Sequence, residues 1–336
     1  MTKQESIIIK GVVILFMIYG HLFLCPEWSG MMYDPILQIG TVSFEYILTR
    51  ATGPVGFYLL LGGYGMYYIY TNKYIKNQLP RIRNLYVNFW IVLFLYVLIG
   101  HIVKPDVYPG SIKTLIYNAT GYSTTYNGEW WFLLPYSLVV LSSYWVFKLV
   151  DRFNPLLVIL GCIFGLFATS FIISRFGSQY LYSHHLIYNL FLYFHLLWEF
   201  VIGAMLLKMD FFRKAKLKIK KYLSRNIYVV CALILLVALR CLFDTSAVHI
   251  FYIIAFIALF LSISRWTFLD KCLIILGKNS MNMWFIHTIF CYYLCKDFIY
   301  GFRYPIIIFI VTTLLSLGCA IMVNKLSSLV SPKNRK

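Results

Sequence analysis

Acidic side chains are scarce in this sequence: 336 residues carry 12 Asp and Glu against 30 Lys and Arg. Charged residues make up 12% of the chain, about half of what a soluble globular domain uses to coat its surface. That shortage, with 61% hydrophobic residues and a mean hydropathy of +0.75, excludes an ordinary soluble domain. The eight cysteines fall mostly inside apolar runs, without a C-x-x-C pair and without zinc or disulfide spacing, which excludes a metal ribbon or a cross-linked secreted scaffold. Cys291 and Cys295, one helical turn apart, read as small-residue packing. Internal repeats and low-complexity tracts are missing too. So is a small-residue cleavage site after the first apolar run, which is therefore expected to stay as a transmembrane helix.

What the chain does have is long hydrophobic runs. Measured against the roughly 20 residues that a helix needs to cross a bilayer, they give ten candidate spans. These lie near 7–24, 47–70, 85–103, 130–149, 155–173, 186–207, 226–243, 247–264, 280–295 and 304–324. The expected fold class is all-α: a polytopic integral membrane protein with about ten transmembrane helices, forming a single domain over 1–336. With the N-terminus in the cytoplasm, only seven of the 30 basic residues fall on outer segments: Arg50, Lys104, Lys113, Arg175, Arg240, Lys296 and Arg303. This is the positive-inside bias, and it predicts both termini to be cytoplasmic. It also accounts for the net charge of +18 without any nucleic-acid partner.

All loops are expected to be short except an outer one from about Lys104 to Glu129 and an inner one from Lys208 to Arg225. The outer loop is rich in Pro, Gly, Tyr and Thr and leads into the Trp130–Trp131 pair. Its aromatics read first as an interfacial belt, with stacking on sugar faces as the alternative. Asn118-Ala119-Thr120 has the pattern of a glycosylation site, read here as chance. The inner loop, KMDFFRKAKLKIKKYLSR, interleaves basic and apolar residues and suits a helix lying on the anionic inner leaflet.

Ionisable groups at membrane depth are costly, about 2.5 to 3.5 kcal/mol for Lys, Arg or Asp at a helix centre, and so they point to function. In KGVVILFMIYGH, Lys10 and His21 are eleven residues apart, on one helix face and about 16 Å from each other. Lys10 is near enough to the inner end to snorkel, whereas His21 lies two-thirds of the way across and needs buried partners. His287 follows Ser280 by seven residues and shares its face. His195 and Glu199 form an i, i+4 pair. Together these groups suggest a buried polar cavity. Arg81 and Arg83, at the inner entrance to the third span, suit either a phosphorylated ligand or topological anchoring.

Several segments, taken in order, resemble the membrane acyltransferase 3 family. KGVVILFMIYGH matches its basic residue, ten residues, then His. FYLLLGGY from Phe57 to Tyr64 is similar to its FFFLSGY type of segment, and WWFLLPY at 130–136 to its Trp-Phe-Leu entry. FVIGAML at 200–206 resembles its Phe-x-x-Gly-Met stretch, and GKNSMNMWFIH at 277–287 its Gly-Lys-x-Ser-to-His segment. The departures are Gly62 where Ser is common, Lys10 in place of arginine, and Pro80 ahead of the basic pair instead of behind it.

The resemblance implies an O-acyltransferase of the plasma membrane, moving an acyl group, usually acetyl, from acetyl-CoA to a hydroxyl of a sugar or surface glycan. Acetyl-CoA enters as a substrate; no bound cofactor and no metal is expected. His21 would be the catalytic base, with an acyl-histidine intermediate as the competing route. Arg81, Arg83 and Lys10 would bind the donor. His287, Glu199, His195, Ser280 and Trp130 are candidates for holding the acceptor or supporting the site. A transporter or flippase of sugars, with His21, His195, Glu199 and His287 as a proton relay, is the alternative from a different class. The oligomeric state is not legible.

Overall fold

The computed structural model describes residues 1–73, 76–243, Thr245 and 248–330, leaving out the predicted cytoplasmic cations Lys333, Arg335 and Lys336. It is helical almost throughout, with fourteen α-helices and one two-stranded hairpin among the described residues. Helix α1 (Lys3–Phe23) opens with a reciprocal cap: the Glu5 amide donates to the Thr2 hydroxyl at 3.1 Å, and the Thr2 amide to the Glu5 carboxylate at 2.8 Å. Then follow α2 (Phe44–Thr49), α3 (Pro54–Lys73), α4 (Leu79–Val103), α5 (Ile112–Thr120), α6 (Leu133–Val150), α7 (Pro155–Phe176) and α8 (His185–Lys208). The remainder comprises α9 (Phe211–Tyr222), α10 (Asn226–Leu242), α11 (His249–Ser262), α12 (Thr267–Thr288), α13 (Lys296–Tyr300) and α14 (Pro305–Val330).

Each of the ten predicted spans falls on a helix. Among the described residues, six helices are long and apolar enough to cross a membrane: α1, α4, Gly128–Val150, α7, α8 and α14. Counting the bent pair α9 and α10 as one span, with its 116° break, makes seven. The others fall short for visible reasons. Helix α11 has 14 residues, α3 carries Gly62, Gly63, Gly65, Thr71 and Asn72, and α12 contains Asp270, Lys271 and Lys278. The chain is a multi-pass membrane protein.

The loop expectation needs one correction. Residues 24–43 are a third long connection, holding a 3-10 turn (Pro26–Trp28) and the hairpin β1 (Gln38–Ile39) and β2 (Val42–Ser43). Arg303 ties it down through Asp34 and the Met31 carbonyl. Polar capping and turn geometry hold this segment, which fills the gap that the first two predicted spans, 7–24 and 47–70, leave between them. Asn118 is fully buried and braces its own loop, donating to the Thr114 carbonyl and the Thr125 hydroxyl and accepting from the Tyr126 amide. It is no glycan acceptor.

The fold divides into two compact units. The first comprises Met1–Ile9, Gly53–Gln78 and Leu133–Cys272. Here α8 packs against α3, α7 and α6. Two glycines set the α3–α8 distance: a Cβ on Gly63 would lie 1.7 Å from the Phe200 carbonyl oxygen, and one on Gly203 2.1 Å from that of Leu60. Backbones this close are how helices gain packing where no hydrophobic drive separates lipid from protein. At the end of α6, Asp151 accepts from Tyr67 at 2.5 Å and pairs with Lys208 at 2.9 Å. Burial opposes its charge, yet these two partners hold the carboxyl below the usual range. The predicted interfacial helix is α9, with basic residues on one side and Phe212 buried on the other.

The α3–α8 contact gives a sharp contrast between neighbours. Gly63→Ala should destabilise the protein by about 1 to 3 kcal/mol or prevent its accumulation, because the obstruction is backbone. Gly62→Ala should be nearly silent, since its Cβ would meet the Phe200 ring at an ordinary 3.6 Å. Thermal unfolding of both variants in one detergent decides it; equal losses would refute the packing account.

The second unit comprises Lys10–Thr52, Leu79–Phe132 and Leu273–Lys336. Gly11 plays the same part here: its Cβ would lie 2.2 Å from the Leu273 carbonyl oxygen, so α1 and α12 cross in near backbone contact. From that crossing the two helices run the same way, toward His21 on one and His287 on the other. Asparagines fasten α12 to its neighbours: Asn282 donates to Asn88 of α4 at 2.9 Å and Asn324 of α14 at 2.8 Å, and Asn324 donates to Asn279 at 2.7 Å.

Candidate active site

The end of α12 is where the second unit departs from regular helix. After Thr288 the chain widens into a π-helical turn, Ile289–Tyr293. Such turns free backbone groups and redirect side chains, and they recur at functional sites. Immediately before it sits His287, fully buried, with Nδ1 2.9 Å from the Trp284 carbonyl and 3.1 Å from that of Met283. Carbonyls only accept, so Nδ1 carries the proton and Nε2 of the neutral ring is a bare acceptor.

That acceptor faces His21. His21 Nδ1 lies 2.6 Å from His287 Nε2, and the ring planes are within 14° of each other, which suits an in-plane N–H···N bond. His21 Nδ1 is then the donor. With Nδ1 committed to His287, Nε2 is the nitrogen at which His21 takes up and gives up a proton, and the carboxylate beside it accepts from Nε2 when it is protonated. This is the outer nitrogen; the His21 side chain is 19% exposed.

Nε2 is 3.3 Å from a carboxylate oxygen of Glu129. Three bonds from its neighbours fix the turn that carries Glu129 to the helix bearing His287. Asn127 donates to the Thr288 hydroxyl at 2.7 Å, the Gly128 amide to the Tyr293 hydroxyl at 2.8 Å, and the Trp130 indole to the Phe285 carbonyl at 3.0 Å. Asn127 also accepts from the Glu129 amide at 3.1 Å. Trp130 is wholly buried, with Phe89 and Tyr96 edge-on at 5.0 and 5.3 Å. It supports the turn and offers no face to a sugar. Tyr108 and Tyr126 of the same loop are buried as well. Around the exposed side of His21 stand Tyr292, with its ring 5.8 Å away, and Trp28, 5.7 Å from Tyr292.

The other sequence candidates divide. Ser280 is buried and turned back on its own helix, donating to the Gly277 carbonyl at 3.0 Å, so its shared face with His287 does not make it a partner. His195 and Glu199 belong to the first unit and line a cavity there. Lys10 lies on α1, three helical turns from His21, close enough to Arg81 to feel its charge. Arg81 and Arg83 are exposed in the first turns of α4. Among the described residues, none of these three cations has a hydrogen-bonded or ion-paired anion. Unmatched cations gathered in a chain this poor in acids suit an anionic ligand.

Sequence reasoning missed Glu129. The signal was present: it is one of only 12 acidic residues and stands directly before the Trp pair at the mouth of a span. By position alone, though, it marks only the end of the outer loop. The π-turn and the Asn127 brace have no comparable sequence signature.

The family model described as an acyltransferase domain, of the acyltransferase 3 type, matches residues 5–325. No curated protein and no solved structure matches the chain.

Proposed function

The chain belongs to the acyltransferase 3 family and is a membrane acyltransferase, and on that premise we propose that it carries an acetyl group from acetyl-CoA to a hydroxyl of a sugar or cell-surface glycan. The observation that supports this reading most is the hydrogen-bond order that commits His21 Nδ1 to His287 and makes Nε2, beside Glu129, the nitrogen that exchanges a proton.

A sugar hydroxyl is a poor nucleophile until a base begins to take its proton. The hydroxyl enters at Nε2. Glu129, on a turn and with a 31% exposed side chain, moves aside while staying adjacent. As the hydroxyl oxygen attacks the thioester carbonyl, its proton passes to Nε2, and the Glu129 carboxylate stabilises the imidazolium that forms. When the tetrahedral intermediate collapses, the carbon–sulfur bond breaks and the departing thiolate takes the proton from Nε2. The products are the O-acetyl ester and free CoA, with His21 neutral again. His287 acts as a positioning residue: it holds the tautomer without carrying charge, where an aspartate serves in better-known triads. An acyl-histidine route would use the same lone pair as nucleophile.

Lys10, Arg81 and Arg83 are the donor-side residues in this proposal, taking the phosphates of CoA, while the pantetheine arm reaches the histidine. Along α1 the distance from Lys10 to His21 is about 16 Å, comparable to an extended chain of about five residues, and the arm is of that order. Topologically, we place ten spans in the plasma membrane with both termini in the cytoplasm and the donor cations on that side.

This topology is testable apart from the chemistry. Reporter fusions after Lys216 and after Lys336 should report cytoplasm, and one within Ser111 to Asn127 should report the outside. Reversed signals would remove the argument that donor enters past Arg81 and Arg83. A transporter reading draws on the same polar groups, but no observation in the structure favours it over the family's chemistry.

A further inference from the structure

From Pro35 to Phe44 the chain has no charged residue, and four of its apolar side chains stand open: Ile36, Leu37, Ile39 and Phe44, exposed by 61, 54, 45 and 38%. This stretch holds the β1–β2 hairpin. A hairpin that faces water is commonly guarded by charge, lysine above all, because a bare strand edge beside exposed apolar side chains invites aggregation. Here that guard is missing.

The position of the hairpin along α1 gives the reason. Helix α1 has 21 residues and is therefore about 30 Å long, the thickness of a bilayer's hydrocarbon core. Tyr19 and Gly20 lie about one turn short of its end, inside that layer. Both touch the segment that the hairpin leads into. The Tyr19 hydroxyl donates to the Glu45 carbonyl at 3.2 Å, and a Cβ on Gly20 would lie 2.9 Å from the Thr52 hydroxyl oxygen. Helical side chains lean toward the N-terminus, so the Tyr19 hydroxyl is no nearer the edge of the layer than its own backbone. Phe44 precedes Glu45 directly, and its amide donates to the Leu37 carbonyl at 2.8 Å. The base of the hairpin thus lies beside the last turns of α1, not beyond them.

Non-helical backbone is tolerated at such depth only where its polar groups are paired. At the base of this hairpin they are. Next to the ladder Gln38↔Ser43 and Ile39↔Val42, the Ile36 amide donates to Oε1 of the buried Glu45 at 2.8 Å, and the Tyr46 amide to the Ser43 hydroxyl at 3.2 Å. The side chains left facing outward there are Ile36, Leu37 and Phe44. Apolar side chains without a charge among them, set on a satisfied backbone, fit the boundary between lipid headgroups and acyl chains.

We infer that the hairpin from Pro35 to Phe44 is inserted into the leaflet at the His21 end of α1, with Ile36, Leu37 and Phe44 against phospholipid. The strap that brings Trp28 to the mouth of His21 is thereby fastened twice, by Arg303 at Asp34 and by lipid at the hairpin. The inference is independent of whether His21 transfers acyl groups.

The test uses the full chain in phosphatidylcholine liposomes. With p-benzoylphenylalanine in place of Leu37, near-ultraviolet light is expected to give a phospholipid adduct on the peptide that carries residue 37, located by mass spectrometry. A second measurement is thermal unfolding in the same liposomes. Charges at positions that face water are usually tolerated. Ile36→Asp combined with Leu37→Asp should nevertheless lower the melting temperature by several degrees, whereas Leu37→Phe, which keeps the surface apolar, should leave it unchanged. The absence of a lipid adduct, a crosslink to a second copy of the chain in its place, or a double aspartate variant that melts with the wild type would overturn the inference.

Discussion

Replacing His21 with Gln is expected to cripple acyl transfer while the protein still inserts, accumulates and binds donor. Gln keeps hydrogen-bonding capacity at the site but cannot take up a proton, so the rate should fall by about 10²- to 10⁴-fold, the worth of a positioned base. His21→Ala should be no better. If the histidine is only structural, the pattern inverts: Ala lowers abundance and Gln rescues it. Glu129→Gln removes the charge that meets the imidazolium while keeping the side chain's shape. It should cost turnover more than affinity, since the interaction exists only once the proton has moved. His287→Phe should also lower turnover, because either tautomer of His21 is then allowed; a shifted pH profile, not merely lower abundance, marks that positioning role. Single-turnover quenching separates the two chemical routes. Acetyl trapped on His21 in the absence of acceptor indicates the covalent path; none indicates direct transfer.

Neutralising the cations proposed to hold the donor is expected to leave the chemistry intact but weaken its supply. Arg81→Ala and Arg83→Ala should each reduce donor affinity by about 1.5 to 3 kcal/mol per lost charge-assisted contact, roughly ten- to a hundredfold. Both are exposed, so the lower end applies to them, and added salt should erode their contribution further. Lys10 is half-buried, and Lys10→Ala should show the larger loss with the weaker salt dependence. Equilibrium binding of CoA to folded variants measures this. An Arg81→Ala, Arg83→Ala double variant with unchanged affinity would leave the pair as topological anchors.

Much of this was legible in the sequence because a membrane makes its demands in composition. Apolar runs located a helix for each predicted span, and the depth of His21 and His287 marked them as groups that need partners. What the runs could not convey was length and purity in the folded chain. Helix α11 stops at Ser262, and the polar residues of α3 and α12 emerge only when the helix ends are known. Helical spacing put Ser280 and His287 on one face, but a serine in a helix can satisfy itself on the preceding turn, and this one does. Glu129 and the asparagine at 127 reach His21 and Thr288 from far along the chain. Such a contact depends on where a loop is bolted, and no local period encodes it.

The central claim, acyl transfer at His21, is met most directly by mass spectrometry of the surface glycans from cells that carry the wild-type protein or His21→Gln at matched abundance. The expected result is glycan bearing one added acetyl group per modified unit with the wild type, and none with His21→Gln. Equal acetylation in both strains would contradict the assignment of His21, and unmodified glycan retained inside the His21→Gln cells would indicate transport in place of transfer.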